Sequence, residues 1–239
     1  MRKLCKRLLL FILCMMLMVA ISIVGLGYLG YRDQLDANPL DIMVQSLQAK
    51  KNYIELQDMN PYLVDAVYAI EDRRFYSHHG IDYIGVVRAV VVNISKQGSQ
   101  GGSTISQQLA KQFYFAEDND GIRKVSEAFI AKRLEREYSK DMILEMYINI
   151  NYYGDGFDGI YEASMGYFNV SPKQLSLAQA SMLAGLVQAP SIYALSNQDE
   201  RSYQRQRQVL SSMLELELIS KEEYANAIEE TNRIKGGVL

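Results

Sequence analysis

GGSTISQQLAKQF, residues 101–113, has the period of an α-helix with two unlike faces. Ile105, Leu109 and Phe113 recur at steps of four and form an apolar stripe, whereas Thr104, Gln108 and Lys111 share another face at spacings of four and three. The glycine pair followed by Ser103 and Thr104 marks a helix start, where unpaired N–H groups and the helix dipole favour an anion such as phosphate. One face is suited to packing and the other to binding. The same letters also describe an N-capped amphipathic helix with a solvated lysine. A nucleotide-binding loop is not supported, because the GxxxxGK[ST] frame is missing.

The segments around it repeat the helical period. In RKVSEAFIAKRLEREY, residues 123–138, Arg123, Glu127 and Ala131 stack at steps of four and Leu134 and Tyr138 continue that face, which turns Glu127 inward. A surface Arg–Glu pair, of small energetic value, is the alternative. Asn60-Pro61 opens a helix with Val64, Val67 and Tyr68 on its apolar face, and that helix runs into Glu71. Ser139 caps KDMILEMYINI. Ser171 with Gln174 and Ser176 with Gln179 are successive capping boxes leading into an apolar helix that stops before Ala189-Pro190, and Ser220 with Glu223 starts a last helix. The charged face of ERSYQRQRQVLSSMLELEL reads as solvated. Only VVRAVVVNI, residues 86–94, has the β-branched density of a strand, and KQGSQGG, residues 96–102, reads as a mobile loop. The class is mainly α.

Between two of these helices, EDRRFYSHHGID (residues 71–82) crowds carboxylates, arginines, aromatics and both histidines of the chain into one stretch. A carboxylate at a helix C-terminus is disfavoured as an anion by the dipole, so a raised pKa suited to a general base is expected at Glu71, with the nearby arginines opposing the shift. A site of paired carboxylates would join Glu71 to Glu127.

The first thirty residues stand apart. Leu8 to Gly30 is uncharged over 23 residues, a helix of about 34 Å that would cross a bilayer core. Arg2, Lys3, Lys6 and Arg7 precede it, which by the positive-inside bias holds the N-terminus in the cytoplasm and the remainder outside. The length of the run and the lack of an A-x-A-like site favour an uncleaved anchor over a signal peptide. The expected division is a basic tail (1–7), an anchor (8–30), a linker (31–54) and one extracytoplasmic domain (55–239). Without those four cations, 21 Lys and Arg face 28 Asp and Glu, a balance of −7 that argues against nucleic acid. Cys5 and Cys14 lie in or before the span, so the domain has neither a disulfide nor a Cys/His metal site.

With these residues in hand, the chain resembles the peptidoglycan glycosyltransferase domain of penicillin-binding proteins, glycosyltransferase family 51. EDRRFYSHHG is similar to that family's EDxxFxxHxG, GGSTISQQLAKQ to GGSTITQQLxKN, RKVSEAFIAKRLE to RKxxExxxAxxLE and KDMILEMYINI to KxxILExYLN. GIYEASMGYF and LSLAQASMLAGLVQAPSIY resemble the segments that follow. The resemblance covers roughly residues 55–195. It implies a lysozyme-like, mainly α fold with a globular head and a smaller jaw, about 83–117, that dips into the membrane. It also implies lipid II and the growing glycan chain as substrates, membrane lipid as surroundings, and transpeptidases and division or elongation proteins as partners. By that similarity Glu71 would deprotonate the acceptor's 4-hydroxyl for an inverting β-1,4 transfer that releases undecaprenyl pyrophosphate. Glu127 would organise the pyrophosphate, directly or through a divalent cation (Mg or Mn). Lys111 and Arg123 would neutralise its charge, with Ser103, Thr104 and Gln108 lining the same cradle. Asp72, Phe75, His78, Gly102 and Gln112 match supporting positions, and His79 matches none. Ser106 and Gln112 replace the usual Thr and Asn, and DNDGIRK lacks an arginine that relatives often carry before the RK pair. Bifunctional relatives continue into a transpeptidase domain with SxxK and KTG motifs. Neither is present by Leu239, which suggests a monofunctional polymerase. A lytic enzyme of similar fold, or an inactive scaffold, is the alternative.

Overall fold

The computed structural model describes residues 2–94, 101–116, 121–197 and 199–235. Twelve helices run through them in the order α1 (Arg2–Ala37), α2 (Leu40–Gln48), α3 (Pro61–Glu71), α4 (Tyr83–Ile94), α5 (Ile105–Tyr114), α6 (Arg123–Glu137), α7 (Lys140–Ile150), α8 (Ile160–Phe168), α9 (Leu177–Leu186), α10 (Pro190–Tyr193), α11 (Glu200–Glu215) and α12 (Lys221–Lys235). Among the described residues β-pairing is limited to isolated bridges, His79 with Ile81 and Tyr152 with Asp158. The mainly α expectation holds.

Capping residues set the helix starts as their side-chain chemistry dictates. The Asn60 side chain accepts from Tyr62 N at 2.9 Å, with Pro61 supplying a first residue that has no N–H to satisfy. Ser139 caps α7, and Ser176 and Gln179 close a reciprocal box at α9. Helix α9, LAQASMLAGL, is apolar all round and buried along its length, as befits the central rod of a core. α3, α11 and α12 pack around it, and α5 and α7 extend the same core toward α6.

Three sequence expectations change. The β-branched run 86–94 lies inside α4, where Asp82 accepts the Gly85 N–H at the start and no strand among the described residues offers a ladder. The segment 31–54, expected to be a linker, is helical to Gln48 apart from a short break, and packed: α1 continues without a break to Ala37, and Leu35, Leu40, Val44 and Leu47 are buried in the domain core. Tyr53 Oη donates to Glu145 at 2.6 Å and Ile54 N to Asn149 at 2.9 Å, tying the segment to α7. Helix α11 is less solvated than its charges suggest, with Gln206 buried and Arg205 largely so. Most of the loop expected at 96–102, and the DND run at 118–120, lie outside the described residues.

The apolar side chains of α1 from Leu8 to Leu26 are exposed, and the helix is long and apolar enough to cross a membrane. Beyond them α1 docks on α6. A Cβ on Gly27 would lie 2.5 Å from Val125, and Ser126 Oγ donates to Gly27 O at 2.8 Å, so the glycine is needed for the approach of the two backbones.

Candidate active site

Helix α3 ends at Glu71, which lies at the edge of a cleft of about 500 Å³ between the starts of α5 and α6, helix α4 and helix α11. The Glu71 side chain is 9% exposed. Burial pushes its pKa up; Gln108 and Arg205 pull the other way without cancelling that effect. The sequence reading had the direction, but burial rather than the helix dipole leads. The opposing arginine is also a different one. Arg73 pairs with Glu215 at 2.8 Å and Arg74 with Asp82 at 2.6 Å, whereas Arg205, from α11, approaches Glu71 Oε1 at 3.5 Å.

Gln108 holds the other carboxylate oxygen. Its Nε2 donates to Glu71 Oε2 at 3.0 Å, while its Oε1 accepts from the buried Tyr147 hydroxyl at 2.8 Å. Because the phenol pKa is raised by burial, Tyr147 stays a proton donor and fixes which end of the amide faces Glu71.

Asp72 also lines the cleft, but its Oδ2 is engaged within the protein. Its Oδ2 faces His78 Nε2 at 2.8 Å and accepts from Ile105 N at 3.0 Å. The N-terminus of α5, expected to attract a substrate anion, is thus occupied at Ile105 by the protein's own carboxylate. Thr104 and Gln107 close a capping box there, and Thr104 Oγ1 donates to Gly80 O at 2.7 Å. Thr104 lines the cleft as a buried cap whose hydroxyl is already engaged. His78 Nδ1 lies 3.8 Å from Glu135, which pairs with Lys140 at 2.7 Å and accepts from Ser106. Lys140 sits 4.3 Å above the ring of the fully buried Phe75. Asp72, Phe75 and His78 therefore form a buried floor beneath the Glu71 stretch, and His79 is exposed.

The facing wall is cationic. Lys111, Arg123, Lys124 and Arg88 all line the cleft, with Gly102 and Ser103 beside them. Gly102 lies so close to α4 that a Cβ would stand 3.3 Å from Ala89 and Val86. Gln112 also lines the cleft and its amide reaches Asn151 at 3.4 Å. Glu127 is not on the surface of this wall but within it: its side chain is 0% exposed and accepts from Arg123 at 3.1 Å and Lys124 at 2.6 Å. A buried carboxylate with a cation on each oxygen holds those cations in place and offers no vacant oxygen. Among the described residues no group of three metal-ligating side chains occurs. The donor set at Glu127 therefore does not fit a protein-held divalent cation.

The structure thus brings Glu71, Gln108, Ser103, Lys111 and Arg123 to one cleft and sets Glu127 behind Arg123. Sequence reasoning missed Lys124, Tyr147 and Arg205. Lys124 stands three residues before Glu127 on the same helix, and Arg205 falls at steps of four from the buried Val209 and Met213, so both carried a positional signal. Tyr147 had none that distinguished it from a core aromatic.

A family model described as Transglycosylase matches residues 40–214. The chain is 45% identical over 184 residues to a candidate transglycosylase of Cupriavidus necator, with 77% of this chain and 80% of that one covered. To a monofunctional glycosyltransferase of Staphylococcus aureus it is 34% identical over 218 residues, covering 88% and 79%. To penicillin-binding protein 1A of Neisseria flavescens it is 42% identical over 184 residues, 77% of this chain but 23% of that longer one.

Proposed function

The chain belongs to the transglycosylase family and is a peptidoglycan glycosyltransferase, and from that premise we propose that Glu71 is its general base. In this reading lipid II supplies the acceptor: the 4-hydroxyl of its GlcNAc passes a proton to Glu71 while the oxygen attacks the anomeric carbon of the growing chain's MurNAc. The configuration inverts, a β-1,4 link forms, and undecaprenyl pyrophosphate leaves. The observation that carries the assignment is a carboxylate with a side chain 9% exposed and a raised pKa, held by Gln108 and Arg205 in a cleft with a cationic opposite wall. A base must be ionised to act yet retain affinity for a proton, and a pKa above the ordinary carboxylate value serves both needs.

We assign the leaving pyrophosphate to Lys111, Arg123 and Lys124, with Ser103 at their side. Positive charge aimed at a departing anion in a water-poor cleft stabilises the transition state more than the ground state. Glu127 is a positioning residue in this scheme, because it fixes Arg123 and Lys124 without facing the cleft. Thr104, Gln108, Asp72, Phe75, His78, Gly102 and Gln112 act through others, by capping, orienting or packing. No step requires a metal ion held by the protein.

The anchor and α4 supply the location. Tyr83, Ile84, Val87 and Val91 present an exposed apolar face on α4, which supports a jaw, within 83–117, that enters the outer face of the membrane. The N-terminus would lie in the cytoplasm and the domain outside. A lytic enzyme would have no use for a cationic wall opposite the base.

Glu71→Gln should lower polymerisation of labelled lipid II by roughly a hundredfold or more, the usual scale of general-base loss, with folding and lipid II binding retained. Turnover within about tenfold of the unaltered chain would remove Glu71 from the role. Cleavage of finished glycan without polymerisation would instead support the lytic reading.

A further inference from the structure

A second concave surface lies on the other side of α6, where that helix meets the end of the anchor. Its volume is about 480 Å³. Tyr28, Tyr31 and Arg32 of α1 line it from one side and Phe129, Lys132, Arg133 and Arg136 of α6 from the other. None of these seven lines the catalytic cleft. We propose that this pocket binds the phosphodiester headgroup of an anionic membrane phospholipid.

The placement comes first. The uncharged run of α1 ends at Gly30, so Tyr28 and Tyr31 stand where a membrane protein carries its aromatic belt, and Arg32 stands just beyond it. Tyr28 and Tyr31 both contact the Phe129 ring, with centroids 5.5 and 5.7 Å apart. This three-ring cluster forms an apolar floor at the depth of the upper acyl chain and glycerol region. Above it come the charges. Four cations line the pocket, and the acids beside them are Asp36, 3.8 Å from Arg32, and Glu137, 2.8 Å from Arg133 and 3.4 Å from Arg136. Setting both acids against the four cations still leaves two positive charges over, and neither acid lines the pocket. Among the described residues Lys132 has no acidic partner within ion-pair distance.

A domain with an overall acidic balance thus keeps an excess of positive charge at the height where lipid phosphates lie. An apolar floor under guanidinium and ammonium donors matches a phosphodiester on an acyl stem better than it matches a free, fully hydrated anion. The inference rests on reading α1 as a membrane anchor. Its contribution would be to fix the rotation of α6 about the anchor, and α6 carries Arg123, Lys124 and Glu127 of the cleft.

The full chain would be reconstituted in vesicles containing equal amounts of phosphatidylcholine and phosphatidylglycerol, floated, extracted in mild detergent and weighed by native mass spectrometry. Phosphatidylglycerol should be retained over phosphatidylcholine. The double variant Lys132→Gln, Arg136→Gln, whose side chains are exposed, should reduce that preference by roughly tenfold or more, with flotation and thermal unfolding unchanged. Excess inorganic phosphate should leave the lipid adducts in place. Equal retention of the two lipids, an unaltered preference in the double variant, or displacement by phosphate would overturn the pocket assignment while the chain still floats. A chain that fails to float with any vesicle would overturn the anchor reading and this proposal with it.

Discussion

At the scale of single residues the cleft turns on how Glu71 is held. Its pKa is raised in the folded chain, so between the ordinary carboxylate value and the folded one the native state binds a proton that the unfolded chain has released. Stability therefore falls as pH rises through that window, and ionised Glu71 destabilises the fold above it. Glu71→Gln should remove this dependence and be at least as stable as the unaltered chain at pH 8, as read by thermal unfolding across pH. A variant that melts lower at every pH would contradict the account. Arg205 favours the anion, so Arg205→Gln should move the acidic limb of kcat/KM to higher pH, and an unmoved limb would mean that Arg205 does not act on the base. Tyr147→Phe would strand Gln108 Oε1 and free the amide to turn, at a cost of about 1–2 kcal/mol in stability and a lower kcat. The direction of the Glu71 shift agrees with its place at a helix end, although burial is the leading cause. The partners were not legible, because Arg205 lies 134 positions away in the chain and only packing brings α11 to α3.

At the scale of elements, short-range chemistry was the most legible. The caps at Asn60, Ser139 and Ser176 need only the next three residues, and each is where the letters put it. What could not be read was which faces meet. The valines of α4 look like a strand until the lack of a pairing strand is known, and Thr104 looks like a ligand until Asp72 is seen at Ile105 N. The contact between α1 and α6 is of the same kind, since Gly25, Gly27 and Gly30 are indistinguishable in the sequence. Only the last two face α6; a Cβ on Gly25 would have nothing within 4 Å. Gly27→Leu should therefore destabilise the chain by about 1–3 kcal/mol through overpacking against Val125, whereas Gly25→Leu should not. Thermal unfolding of the two variants in the same detergent tests this, and equal melting temperatures would show that the docking of α1 on α6 is not tight.

At the scale of the whole molecule, one geometry links the anchor, the apolar face of α4 and the cationic wall. The Gly27 contact sets Val125 and Ser126 beside the C-terminal end of the apolar run, and Arg123 and Lys124 are the residues just before them on α6. If α1 is a membrane anchor, the cations assigned to the pyrophosphate are held near the membrane surface, where a lipid-linked phosphate would present itself. Helix α4 brings Arg88 to the same cleft, while Val87 and Val91 remain exposed beside it. If that face enters the bilayer, Val87→Asp loses an apolar contact worth about 1.5–3 kcal/mol and adds a charge to the same surface. Polymerisation of long-chain lipid II in vesicles should then fall by roughly tenfold or more. Turnover of a short-chain, detergent-soluble analogue should hardly change, because Val87 does not line the cleft. The ratio of the two rates separates membrane entry from damage to the site. An equal fall with both substrates would place the defect in the cleft, and no fall with either would mean that α4 stays in water.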